Sequence, residues 1–550
     1  MPLENLPAEL QSEICSYLVT SFGPSPIHAL LKTSKKLYDV ALPFSVQLFR
    51  NTSPMHVGGG PCSGTRNAQF LRYILVSKPE LAKNVKTVIL GGFAAGEDGD
   101  TQPLGLLAST PEDLSIYGKF IVHSLGPQLI EVDLARRDKW IGQLNAGHSD
   151  AQIALILLAC VNLKQLYFED YQEGPSENPI FRKPPCFMFL LEMATRLPVH
   201  GVKAPLSNLR HVHIQSHEDN TCGWEQAFRL MALPKLKVYE SLNGTNRGLT
   251  PGDLAYLPSD LRSSAVEEVT FHQAFAPASD VKRLVGMCQH LKRFEYISAT
   301  YRPVVGIFAR DIMDAVLPHA DTLEYLYLNF DDDCRKTGWD EDPHRLYMGI
   351  KLVQMTALRS LLIGMQSLTG IWDPAPGTRL NMPLSIEGAP RIVECLPESL
   401  AELHLRDCGK GILGQAAELL EVMEKGERLK NLIGVLILFK DENITVEDVE
   451  LSLNAKRKYL SVCFQPRMYR WLDLGGQSRT FEGIRVIPSL CSRIFADELR
   501  HDWIDFRGRL TMKMYYTGCD CEWRRSRVDP KTRGLRLLLR APPHEYQLDD

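Results

Sequence analysis

His211-Val212-His213 sets two imidazoles on one face of any extended strand, where they could hold a metal or line a polar binding surface. With no third ligand at a zinc-motif spacing, a polar binding face is the expectation. Cys519-Asp520-Cys521 offers two thiols, which is half a zinc site, and Cys491 and His501 stand at spacings unrelated to one. Asp331-Asp332-Asp333 follows a strand and reads as a solvated loop. Gly58-Gly59-Gly60 has no Lys-Ser/Thr after it and reads as a link, not a phosphate cradle. His-Glu-x-x-His, Gly-x-Ser-x-Gly and Cys-x-x-Cys do not occur. A catalytic thiol needs a partly exposed, electropositive setting, whereas Cys15, Cys160 and Cys288 lie in apolar helical runs. The expectation is a chain that binds, with no catalytic residue, metal or cofactor.

The elements that must position these residues belong to a globular protein. The 550 residues are 44% hydrophobic and 23% charged, enough to bury a large core and too apolar for wholesale disorder. The net charge, 62 − 66 = −4, is close to neutral for this length and argues against a chain held on nucleic acid by phosphate neutralisation. No apolar run approaches the ~18 residues of a membrane span, and no basic-then-apolar leader opens the chain. The 13 cysteines are an odd, scattered set. They are expected as reduced thiols in the cytoplasm, the nucleus or both, with the sequons at Asn51, Asn243 and Asn443 arising by chance.

Leu3, Leu6, Leu10, Ile14 and Leu18 recur at helical spacing, with Asn5 to cap and Pro7 in the first turn. After the Gly23-Pro24-Ser25-Pro26 stop, a second stripe runs through Ile27, Leu30, Leu31, Leu37, Tyr38, Ala41 and Leu42 to Pro43. Leu6-Pro7-Ala8-Glu9-Leu10, Ile14, Tyr17-Leu18, Ser34-Lys35-Lys36-Leu37-Tyr38 and Ala41-Leu42-Pro43 resemble an F-box, in the form common in filamentous fungi. Where that family often has Trp after the Ser-Lys pair, this chain has Leu37 and Tyr38. The resemblance implies docking on a Skp-type adaptor through Leu6, Pro7, Leu10, Ile14, Leu18, Leu30, Leu31, Ser34 and Lys35, and through it on a cullin ubiquitin ligase.

The middle of the chain repeats Leu-x-x-Leu-x-Leu, with Val, Ile, Phe or Tyr substituting. Copies start at Val85, Leu129, Leu163, Leu209, Leu233, Val266, Leu291, Leu323, Leu358, Leu400 and Leu432. The mean period, (432 − 85)/10, is about 35 residues, longer than the usual leucine-rich repeat. Helical patterns lie between copies, at Asp150–Cys160, Phe187–Leu197, Asp280–His290, Ile307–His319 and Leu413–Met423. Strand then helix, repeated, predicts an α/β fold with parallel strands and helices on one side. It is similar to the leucine-rich-repeat horseshoe that often follows an F-box, although no Asn recurs at the ninth position. Eleven strands would make a wall on the order of 50 Å long.

The expected organisation is an F-box at 1–50, a linker and first helix at 51–84, an irregular leucine-rich-repeat-like solenoid at 85–454, and a C-terminal cap with a basic tail at 455–550. The tail holds Trp471, Trp503 and Trp523, then Arg524, Arg525, Arg527, Lys531, Arg533, Arg536 and Arg540. The third, fifth and seventh positions of each copy should face out on the concave wall. They include Glu131, Asp133, Tyr167, His211, His213, Lys235, Lys237, Tyr239, Arg293, Glu295, Tyr325, Tyr327, His404 and Arg406. Of these, Tyr167, His211, His213, Lys235, Lys237, Tyr239, Arg293, Tyr325 and Tyr327 are the expected contacts to a target protein. His211, His213, Lys235, Lys237 and Tyr239 should form one basic patch suited to an acidic or phosphorylated segment. The resemblance implies a non-enzymatic substrate-recognition subunit of a Skp–cullin–F-box ligase, with no nucleic acid or membrane as partner. The alternatives are a repeat scaffold that binds an adaptor without recruiting a ligase, and an unrecognised α/β enzyme.

Overall fold

The computed structural model describes residues 3–22, 25–51, 62–90, 109–126, 134–169, 185–196, 204–215, 224–242, 263–274, 278–298, 307–330, 343–372, 384–385, 389–409, 411–439 and 460–464. The glycine run at 58–60, Asp331–Asp333, the Cys519/Cys521 pair and the C-terminal Trp and Arg residues lie outside these.

Three helices open the chain: α1 (Ala8–Phe22), α2 (Ser25–Leu30) and α3 (Lys35–Ser45). The second apolar stripe is therefore split in two. Ser34 makes the break: its backbone is extended and its Oγ accepts the Leu37 N–H, so it caps α3. Pro43 does not end α3 but lies inside it, near the C-terminus of the helix. Gln11 is buried and donates from Nε2 to the carbonyls of Leu3, Glu4 and Leu6, tying the leading turn to α1. Cys15, Ile27 and Ala41 make a small core separate from the main one.

The rest is one parallel sheet built in chain order. Its strands are β1 (Leu48–Arg50), β2 (Thr87–Leu90), β3 (Gln165–Glu169), β4 (His211–Gln215), β5 (Val238–Leu242), β6 (Glu268–Ala274), β7 (Arg293–Ser298), β8 (Tyr325–Asn329) and β9 (Ser360–Gly364). A short antiparallel pair, β10 (Ile371–Trp372) and β11 (Leu384–Ser385), stands apart. The sheet resumes with β12 (Glu402–Cys408), β13 (Gly434–Phe439) and β14 (Leu460–Phe464). Twelve strands at about 4.8 Å make a sheet on the order of 50 Å across. It starts before the expected solenoid, at Leu48, and runs past it, since β14 continues the ladder on β13.

Alternate residues of the sheet strands pack with the helices in the main core. Val88, Leu166, Phe168, Val212, Ile214, Leu326, Leu328, Leu403 and Leu405 are buried there. The helix Ser149–Ala159 is buried along its whole length, with Ser149, Asp150 and Gln152 in its first turn and apolar residues on every side after them. The helices Pro185–Arg196, Ala278–Met287, Ala309–Val316 and Ile412–Lys425 match the patterned segments to within a few residues. Gly426, at φ +63°, closes the last of these in the left-handed conformation that glycine adopts cheaply.

Two expected strands need correction. For the strand expected at 129–135, β2 bonds directly to β3 and a helix, Leu134–Asn145, begins within the stretch, whose residues 129–133 lie outside those described. Trp140 and Leu144 bury the apolar face of that helix, and Trp140 Nε1 donates to the Ala151 carbonyl at 3.0 Å. Glu131 and Asp133 lie outside the described residues. The second correction is one of register. The copy read from Leu233 starts at Leu236, because Val212 pairs with Tyr239 and His213 with Glu240.

A polar ladder also runs between copies, one residue before the first apolar position. Asn162 Nδ2 donates to the Lys83 carbonyl, Asn208 Nδ2 to that of Val161 and Asn431 Nδ2 to that of Glu398, at 2.9, 3.0 and 2.9 Å. Thr322 and Ser399 reach back by hydroxyl to the carbonyls of Leu291 and Leu358. Each of these five copies is thereby tied to the backbone of the copy before it.

Candidate functional site

The face of the sheet turned away from the helices carries one continuous row in register: Tyr167, His213, Glu240, Thr270, Glu295, Tyr327, Leu362, His404 and Leu436. Alternation along each strand adds His211, Glu268, Arg293 and Tyr325 one step earlier and His272 and Arg406 one step later. Three groups of contacts divide this face.

On β3–β5, one oxygen of Glu240 accepts from two imidazoles, His211 Nε2 at 3.1 Å and His213 Nδ1 at 2.9 Å. The remaining nitrogen of His211 faces the Tyr167 hydroxyl at 3.5 Å, with the rings edge to face. Burial works to raise the Glu240 pKa, but the two histidine hydrogen bonds and their charge outweigh it and hold the carboxyl below its usual range. Burial, and then the charge of Glu240, push the Tyr167 phenol up to about 12. The side chains remain about one-fifth exposed, so a partner can reach the edge of the group.

This is not the basic patch expected there. The register that brings Glu240 onto the face turns Tyr239 into the core, edge to face with Phe271. It also leaves Lys235 and Lys237 ahead of β5, at the N-terminal rim of the sheet. Lys235 donates to Asn208 Oδ1 at 2.9 Å, and Lys237 pairs with Glu267.

On β6–β8, the carboxylate of Glu295 is buried between a histidine and a guanidinium. It accepts from His272 Nε2 at 3.1 Å and from Arg293 Nε at 2.7 Å. The Arg293 guanidinium lies 3.8 Å from the centre of the Tyr325 ring, a cation–π contact. Burial raises the pKa of Glu268, against the pull of Arg293 and with the push of Glu240 and Glu295.

On β8–β13 the face turns apolar. Tyr327, Leu362 and Leu436 pack together with Ile297 and Tyr325, and Arg406 bonds to the Tyr327 hydroxyl. His404 stands among them, buried, with neither ring nitrogen hydrogen-bonded. Burial lowers its pKa to about 4.

The N-terminal helices present a different surface. Leu10 and Tyr17 are about half exposed, Leu6 and Ile14 are half-buried beside them, and Pro7 and Lys35 are exposed. Leu18, Leu30 and Leu31 instead pack against the small core, and Ser34 is occupied as a cap. The expected adaptor-binding residues thus split into an outward set on and just ahead of α1, with Lys35 at the start of α3, and an inward set that holds the helices together.

Cys15, Cys160, Cys186, Cys288, Cys395 and Cys408 are buried and in no disulfide. Burial pushes the thiols of Cys288 and Cys395 up to about 12 and those of Cys160 and Cys186 higher still, the reverse of what a thiolate nucleophile needs. Among the described residues no three His, Cys, Asp or Glu side chains are grouped to hold a metal ion, and no helix is long and apolar enough to cross a membrane. No family model and no curated protein matches the chain.

Two features do not show in the apolar repeat pattern itself. Glu240 was hidden because Leu233 and Leu236 both open an acceptable repeat, and the apolar Tyr239 that decides between them resembles a surface residue. The Asn ladder stands not at the ninth position but one residue before the repeat, where Asn162-Leu163, Asn208-Leu209 and Asn431-Leu432 announce it.

Proposed function

We propose that this chain is a target-binding subunit of a Skp–cullin–F-box ubiquitin ligase, with an F-box at its N-terminus and a leucine-rich-repeat-like horseshoe behind it. The observation that carries the reading is the outward apolar stripe formed by Leu6, just ahead of α1, and by Leu10, Ile14 and Tyr17 on it, on a helical cluster that has its own core. Apolar side chains left outward at helical spacing on a small, separately cored unit suit a helical adaptor. The serial sheet behind it supplies a long binding face, and the ordered Tyr167, Arg293, Tyr325 and Tyr327 are of the types that anchor protein contacts. The chain would contribute proximity and no bond chemistry, holding a target near a ubiquitin-charged enzyme and raising the effective concentration of its lysines.

Leu10 and Tyr17 separate docking from folding, since both are half exposed while Cys15 and Ile27 carry the local core. The double variant Leu10→Ala, Tyr17→Ala is expected to keep its circular dichroism and melting temperature. Its affinity for a purified Skp-type adaptor should fall by at least ~30-fold, on the scale of two interface anchors. Unchanged adaptor affinity in the folded variant, or no adaptor binding by the unaltered chain, would falsify the docking role.

A further inference from the structure

The N-terminal rim of the sheet carries a second row, one residue ahead of the open face. Its members are Lys86, Lys164, Arg210, Lys237, Glu267, Lys292, Glu324 and Arg359. Backbone geometry proves the alignment. The carbonyl of each accepts two N–H groups from the next copy, for example Lys86 O from Lys164 and Gln165, and Lys164 O from Arg210 and His211. The same holds for Arg210 with Lys237 and Val238, and for Lys237 with Glu267 and Glu268. Side chains in this row therefore sit one strand apart, about 4.8 Å.

The row is not uniform. From β6 onward anions alternate with cations, and Glu267 bridges Lys237 at 2.5 Å and Lys292 at 2.8 Å. From β2 to β5 all four members are cations, spanning about 14 Å. Lys164, Arg210 and Lys237 are exposed and Lys86 is half-buried. Among the described residues, no carboxylate pairs with Lys86, Lys164 or Arg210. Exposed Lys235 adds a fifth cation beside the row, held by the neutral Asn208. Cations brought this close repel one another, and nothing in the fold requires them there: Ala401 and Ile433 occupy the same rim position two and three strands further on than Glu324.

We propose that Lys86, Lys164, Arg210 and Lys237 form a docking surface for an extended acidic segment of a partner protein. The length fits: at ~3.4 Å per residue, 14 Å spans four or five extended residues. The sharp end of the cationic run at Glu267 sets a limit that a nucleic-acid backbone, which needs a longer basic track, would overrun. The inference rests on the proposed role only in taking the partner to be a protein held by the repeat sheet.

The test uses the full chain and a fluorescein-labelled eight-residue glutamate peptide, followed by anisotropy at about 50 and about 300 mM salt. The unaltered chain should bind the peptide, more weakly at the higher salt. The variant Lys86→Ala, Lys164→Ala, Arg210→Ala, checked by circular dichroism, should bind at least ~10-fold more weakly with a flatter salt dependence. The variant Arg359→Ala, on the same rim but beyond the run, should bind within about twofold of the unaltered chain. Single substitutions of the three cations, each weakening binding severalfold, serve if the triple variant does not fold. The proposal is overturned if the substituted chains bind as tightly as the unaltered one, or if Arg359→Ala weakens binding as much as they do. It is also overturned if a deoxythymidine octamer binds more tightly than the peptide. Adaptor affinity measured on the same triple variant keeps the two readings apart: retained there with peptide binding lost, it places the rim's function away from α1.

Discussion

Two polar groups on the same row of the open face, one half-buried and one buried, have opposite fates. Glu240 is offered two imidazole donors and keeps its charge, whereas His404 is offered none and is kept neutral by burial. Its register neighbours, Leu362 on β9 and Leu436 on β13, cannot hydrogen-bond. The consequence for stability has a definite sign. Unfolded, the imidazole takes a proton near pH 6.5; folded, it does so only near 4. Between those values the unfolded chain binds a proton that the folded chain refuses, so stability is full above about pH 6.5 and falls as pH drops toward 4. Replacing an unsatisfied buried polar group by an apolar one of similar size is neutral or favourable. His404→Leu should therefore be as stable as the parent chain, or more stable by about 1 kcal/mol, at pH 7.5. Its advantage should widen toward pH 5. Urea unfolding at the two pH values tests this, and a variant less stable at both would mean that His404 has a partner in the folded state.

At the scale of the element, the copies are held in step by backbone ladders and by the back-reaching Asn, Thr and Ser side chains. A one-residue slip would turn every apolar side chain onto the wrong face, so the register is strongly specified wherever the helices cover the sheet. Asn208 is a clear instance, since its amide donates to Val161 O and its oxygen accepts from Lys235. Asn208→Ala should cost about 1 kcal/mol, the usual net worth of such a bond, and leave the Val161 carbonyl to water. Asn208→Asp keeps the acceptor for Lys235 but loses the donor, and should also destabilise. Thermal melts of the two variants decide whether the backbone clamp or the lysine contact matters: an unaffected Asp variant would assign the role to Lys235.

At the scale of the whole molecule, the helical unit and the sheet have separate cores. Cys15, Ile27 and Ala41 form one, and a single continuous cluster from Val46 to Ile437 forms the other. Stacked repeats contact mainly their neighbours, so a local loss travels only a short way along the array. Ile27→Ala removes a fully buried side chain from the smaller core and should cost roughly 2–4 kcal/mol there. Hydrogen exchange followed by mass spectrometry should show faster exchange in α1–α3 and unchanged protection across β3–β8. Faster exchange throughout the sheet would mean that the two units unfold together. The exposed stripe on α1 and the cationic rim at β2–β5 also lie on different units, which lets adaptor and target contacts be altered one at a time.

Composition and periodicity by themselves determined the α/β class, the parallel order of the copies and the helices between them, because apolar spacing at two and at three-to-four residues reports burial directly. Nine of the eleven repeat starts lie at strands in the expected register, and Tyr167, His211, His213, Arg293, Tyr325 and Tyr327 stand on the open face as the spacing required. Where two leucines three residues apart, Leu233 and Leu236, offered equivalent starts, local pattern could not choose. Pairing with β4 chose, since only one register buries Tyr239 and gives the two histidines a carboxylate. At the strand expected over 129–135 the ladder runs directly from β2 to β3, and the stretch ends in a helix that buries Trp140 and Leu144 rather than Leu134. Charge was the least legible property of all. Whether Lys237 faces a binding wall or a rim, and which carboxylate neutralises it, depends on residues tens of positions away, and only the stacking of copies brings them side by side.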